Sequence, residues 1–262
     1  MIESQSRRQA FGRIGGAMAL LAASTASSAQ SAIADAAPPA SGSLLRLTEA
    51  LKRVPRKRQF KTVPFMVTES SGWDEAAARL VLAYTDPAKQ VWENSELTAA
   101  WPNLMREALN AEVFAHRHPN FLEVSATHGQ AHLALFSDAL WSRFRLSQLA
   151  GAGFASNTLI VEKAGVSVKD DLQDLGGFYG PNNNNITSLQ KRGMVFVACH
   201  DSIHAIARKL LQAGDPSVAG LSADQIAAEL TNGLIPDCVL VPSVVGFLVE
   251  LQKAGFAYAK GS

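Results

Sequence analysis

The sequence predicts an α/β protein: a mainly parallel sheet covered by helices on both sides. Three observations carry that expectation. Strand-like and helix-like segments alternate along the chain from about residue 89 to residue 260. The strand-like segments are short apolar runs without a polar face, the pattern of strands buried on both sides. The helix-like segments carry start and stop signals at the expected places, such as Ser137 before one and Gly255 after another.

Each element follows from local pattern. A short helix is expected over 44–52, then a stretch broken by proline and charge. Residues 73–84 read as a helix, with Ala77, Leu80, Val81 and Tyr84 at helical spacing. Residues 89–92 read as a strand. A helix over 97–115 would place Leu104, Ala108, Ala111 and Phe114 on one face. A strand over 121–127 ends at His128 and Gly129, and a helix over 137–146 follows. The glycine-punctuated stretch 151–180 fits neither template, and the asparagine run 182–185 behind Gly180 and Pro181 reads as a structural turn. The remainder alternates cleanly: helix 186–192, strand 194–198, helix 201–213, helix 222–231, strand 239–241, helix 244–254, strand 256–260. Trp73, Trp92, Trp101 and Trp141 all fall in apolar patterns and belong to the core.

The first residues carry an address. SRRQAF at 6–11 is a twin-arginine region, an apolar stretch follows over 14–26, and Ala32-Ile33-Ala34 offers a cleavage site before Asp35. The expected organisation is a twin-arginine signal peptide over 1–34, a flexible leader and basic linker over 35–72, and one α/β domain over 73–262. The expected location is periplasmic. No other apolar run approaches the roughly 18 residues of a membrane span, so no stable span is expected.

Composition bounds the partners. The chain has 262 residues, 47% hydrophobic and 18% charged, with a formal charge of +1. Removing Glu3, Arg7, Arg8 and Arg13 with the signal takes away two net positive charges and leaves −1. That balance does not ask for nucleic acid. The run Lys52, Arg53, Arg56, Lys57, Arg58 and Lys61 reads as a solvated linker.

Several residues are candidates for chemistry. Cys199 is expected at the carboxyl end of a strand and just before a helix, where ligands of open α/β sheets bind and a thiolate is stabilised. It either carries sulfur or is a buried structural cysteine. His128, at another strand end on the same edge, either assists proton transfer or caps the strand. His200 and His204 have the i, i+4 spacing of a zinc-binding helix with Asp201 in place of the usual glutamate, but no third ligand is evident, so a metal site there, with or without Cys199, is a weak alternative. Gly176-Gly177 lacks the spacing of a phosphate cradle, and no cofactor is expected. Cys199 ends one strand while Cys238 begins another, so parallel neighbours would hold them roughly 15 Å apart, beyond the reach of about 7 Å that a disulfide allows.

The C-terminal half resembles the DsrE/DsrF-like sulfur-relay family, and in particular its exported, twin-arginine branch. The resemblance rests on GMVFVAC at 193–199 followed by a helix, LIPDCVLVPS at 234–243, and the helix and strand over 244–260 ending in GFAYAK. LMREALN at 104–110, and HGQA at 128–131 with DALW at 138–141, fit the same branch. It spans about residue 73 to residue 260. It implies a flavodoxin-like three-layer fold, frequent homo-oligomers and, through Cys199 with His128 nearby, the binding or relay of a small sulfur species, with a sulfur-containing ligand or a partner protein as the other party. It also implies departures: Cys199 is followed here by His200, Asp201 and Ser202, and Cys238 stands where glycine is usual. Two further readings stay open: a non-catalytic binding or assembly subunit of the same fold with Cys199 inert, and a metal-dependent hydrolase using His200 and His204.

Overall fold

The structure of the protein, a computed structural model, describes residues 42–151 and 153–261. The twin-arginine region, the apolar stretch and the cleavage site all lie outside the described residues. Among those described, no helix is long and apolar enough to cross a membrane.

The sheet has five strands, β1 (Lys89–Asn94), β2 (Leu122–Thr127), β3 (Val195–Cys199), β4 (Val239–Val241) and β5 (Ala257–Lys260), in the order β4-β3-β2-β1-β5. Every pairing is parallel. Nine α-helices are described: α1 (Ser43–Arg53), α2 (Glu75–Leu82), α3 (Trp101–Asn110), α4 (Asp138–Arg143), α5 (Ser147–Ala150), α6 (Ile186–Lys191), α7 (His200–Gln212), α8 (Ala223–Asn232) and α9 (Val244–Lys253). The α/β class and the parallel sheet thus stand as expected.

Alternation along the strands builds two cores. Trp92, Phe196, Ala198 and Leu240 point to one face, where α3, α4, α6, α7 and α8 cover them. Val91, Val124, Ala126, Val197 and Val239 point to the other, under α1, α2 and α9. A strand buried on both faces needs no polar side, which is why these runs read as unbroken apolar sequence.

Some local readings are corrected by packing. The helix expected over 97–115 begins at Trp101, with Pro102 in its first turn, where the missing N–H costs nothing. Its core stripe is Trp101, Met105 and Leu109; Leu104 and Ala108 lie at the margin. Residues Ala111–Ala115 continue it as a π turn. Ser137 precedes α4 but its side chain makes no capping bond. Ser222 does cap α8, in a reciprocal capping box with Gln225. In the asparagine run, Asn185 accepts from Ser188 N and caps α6, so the structural reading of that turn holds.

The basic stretch is not simply solvated. Arg56 Nε and Arg58 Nη2 donate to the carbonyl of Cys238 at 3.2 and 2.9 Å, and Arg58 pairs with buried Asp74 at 2.9 Å. Asp74 in turn bonds β4: its N donates to Leu240 O at 3.0 Å and its Oδ2 accepts from Leu240 N at 2.8 Å. This N-terminal arm, running from Arg56 to Asp74, therefore seals the outer edge of β4, an edge that would otherwise offer unpaired backbone.

Candidate functional site

The path of the chain decides where a site can form. The connections that leave β1, β2 and β3 all run to the α3 side of the sheet. The connection leaving β4 runs through α9 on the opposite side. The chain therefore leaves the carboxyl ends of neighbouring strands β3 and β4 toward opposite faces of the sheet, the place where open α/β sheets form a crevice.

Cys199 stands at that divergence, paired in register with Val241 and directly before α7. The crevice, however, is closed by backbone. Asp201 N donates to Pro242 O at 3.3 Å, and Val244 N, in the first turn of α9, donates to Cys199 Sγ at 3.4 Å. Cys199 is 3% exposed and packs within the apolar cluster under α9. Placement at the strand end and against a helix start is as the sequence suggests; the sulfur lies inside rather than on the rim.

The open chemistry lies further along the same edge. Thr127 pairs with Ala198, so His128 and Cys199 occupy the next step on adjacent strands. The imidazole of His128 does not turn to the sulfur. Its Nε2 lies 3.0 Å from Glu93 Oε1, and the carboxylate fixes a proton on that nitrogen. The hydroxyl of Tyr258 donates to the other oxygen of Glu93. Glu93 also pairs in register with Lys260 on β5. Side chains of His128 and Glu93 are each 21% exposed, and Tyr258 is exposed. Three strands thus deliver a linked imidazole, carboxylate and phenol, beside a lysine, to one accessible patch.

Gly129 makes the turn that holds His128 in place. Its φ is +56°, and a Cβ there would sit 2.9 Å from Ser95 O, so only glycine fits. Gly129 N then donates to Ser202 Oγ at 3.2 Å, tying the loop to α7.

Electrostatics follow the geometry. The Tyr258 hydroxyl holds the Glu93 carboxyl below its ordinary range, against the opposing effect of partial burial, with His128 and Lys260 adding to the depression. The same contact with Glu93 raises the Tyr258 phenol. Replacing Tyr258 with phenylalanine is therefore expected to move the Glu93 titration upward, read by carbon-detected NMR of the glutamate side chain. A depressed carboxyl contributes stability above its unfolded pKa and loses it as pH falls through the folded value. The variant should show a weaker acid-side dependence from Glu93. An unmoved Glu93 titration would remove Tyr258 from the site.

His200 and His204 do come together, with ring centroids 4.9 Å apart. Each Nε2 meets a backbone oxygen: Pro64 O at 2.8 Å and Val63 O at 3.0 Å. They tie the strap around Val63 to α7. Burial lowers the His200 pKa, with its carbonyl partner opposing. Among the described residues no group of three or more His, Cys, Asp or Glu is placed to hold a metal ion.

Both cysteines are free and buried. Cys238 lies before β4, at the opposite end of the sheet from Cys199, and burial pushes its thiol up to about 12. No protein-family model matches this chain, and no curated protein and no solved structure gives a significant match. The site residues that sequence reasoning missed are Glu93, Tyr258 and Lys260. The available signal was a charged or hydroxyl-bearing residue near the end of a short apolar strand, which reads locally as solvent exposure.

Proposed function

We propose that this chain is a DsrE-like, exported binding protein of the non-catalytic kind, which takes a small sulfur species at the open carboxyl edge beside β1 and β5. The observation that carries this reading is the Glu93 carboxylate joined to both His128 and Tyr258 on an accessible patch. The Lys260 ammonium, in register with Glu93 on β5, is the cation placed to meet an anionic ligand. The sulfur class and the exported location draw on the sequence resemblance and on Arg7-Arg8. A buried Cys199 also suits an oxidising compartment, which traps exposed thiols.

Thiosulfate and sulfite are the probes. Calorimetric titration of the full chain is expected to show binding, with Lys260→Gln weakening it by about tenfold, the loss of roughly one charge-assisted hydrogen bond. Absence of binding at millimolar ligand, or unchanged affinity in Lys260→Gln, would end this reading.

One observation favours a second reading, relay through Cys199. Its sulfur accepts an N–H from the first turn of α9 at the point where the chain leaves β3 and β4 toward opposite faces, so a lifting of that turn would bring it to the surface. Thiol reactivity separates the two.

A further inference from the structure

The opposite, amino end of the sheet holds a cavity of about 290 Å³ between α1 and the entry to β3. That volume is at the small end of the range for ligand pockets, roughly 300–1,000 Å³. Its apolar lining comes from Leu44, Leu45 and Leu51 of α1 and from Met194 and Val195 at the entry to β3. Charged groups ring it: Lys52, Arg56, Lys191 and Arg192 against Asp237.

These cations are not equivalent. Lys191 is paired with Glu162. Arg192 is drawn inward, donating to Asn110 Oδ1 at 2.8 Å and stacking over Tyr179. Lys52 and Arg56 differ from both. Among the described residues neither has a carboxylate within salt-bridge distance, and the hydrogen bonds of Arg56, from Nε and Nη1, go to backbone carbonyls. Two cations without a carboxylate partner beside an apolar floor form a complement to an acid with a short apolar tail. Asp237, just before β4, lines the same cavity with the opposite charge.

We infer that this cavity binds a small amphipathic carboxylate, its tail on the Leu45–Met194 floor and its carboxylate between Lys52 and Arg56. The site is separate from the carboxyl edge and independent of the function proposed there.

Octanoate is the probe, titrated into the full chain by calorimetry, with octanol as its neutral counterpart. Octanoate should bind at one site and octanol at least about fivefold more weakly, the effect of roughly 1 kcal/mol of charge interaction. Lys52→Glu, on the surface, should weaken octanoate by a similar factor. Asp237→Asn should tighten it, and should leave octanol unchanged. Thr48→Trp, which fills the cavity from α1, should abolish binding of both. Its fold is checked by an unchanged urea midpoint, and if that midpoint falls, the two charge variants decide alone. No binding of octanoate, equal affinity for octanol, or indifference to both Lys52→Glu and Asp237→Asn would overturn the inference.

Discussion

Replacing Asp74 with alanine is expected to destabilise the protein by about 3 kcal/mol, the lower part of the range for breaking a buried ion pair by removing one partner. Asp74 is 2% exposed and its carboxylate accepts from three residues. Oδ2 accepts from Leu240 N at 2.8 Å and from Arg58 Nη2 at 2.9 Å, and Oδ1 accepts from Lys57 N at 2.9 Å. Truncation leaves the fully buried Leu240 N–H without an acceptor and Arg58, 16% exposed, without its anion. A buried donor left unmade costs far more than an average hydrogen bond contributes. For a chain of this size the loss corresponds to a drop in Tm of about 6–12 °C. Asp74→Asn keeps one acceptor oxygen and should fall between the two. Urea unfolding with an unchanged slope is the measurement. An alanine variant within about 0.5 kcal/mol of the parent, the scatter of an ordinary surface change, would mean that the arm does not clamp β4.

Alkylation of Cys199 is expected to be about a thousandfold slower in the folded protein than in the unfolded chain, as for a group exposed only by an opening of about 4 kcal/mol. The sulfur lies under α9 with its only described hydrogen bond coming from Val244 N. Cys238, fully buried at the other end of the sheet with a thiol at about 12, should be protected as well. Iodoacetamide labelling followed by peptide mass spectrometry reads both cysteines in one sample. Joint protection fits the binding reading. Rapid labelling of Cys199 with Cys238 protected would show that the first turn of α9 opens readily, and would move the assignment to sulfur relay.

The elements were legible because their signals are local. Strand β3 is a run of apolar residues with no polar face, and α8 opens on a serine with glutamine three residues on, so periodicity and capping suffice. The limits of α3 were less legible. Its core stripe, Trp101 to Leu109, is set by which residues meet Phe196 and Trp92 across the layer, a fact that no single helix contains. The basic stretch misled for the same reason: Arg56 and Arg58 resemble solvated linker residues until the carbonyl of Cys238, some 180 residues away, is placed beside them.

The candidate site divides along the same line. His128 was visible as a histidine at a strand end. Its partners were not, because Glu93 is 35 residues away and Tyr258 lies 165 residues beyond Glu93. Only the register of β1 against β2 and β5 joins them.

By itself the sequence determined the class of the fold, the five strands and most of the helices of the domain, and the separation of Cys199 from Cys238, since each follows from side-chain periodicity and strand length. The tertiary structure alone decided that the β3–β4 crevice is zipped shut over Cys199, and that the accessible chemistry lies two strands away. Strand order and the side taken by each crossover are non-local. They are settled by which apolar faces bury one another, and no window of sequence records that choice.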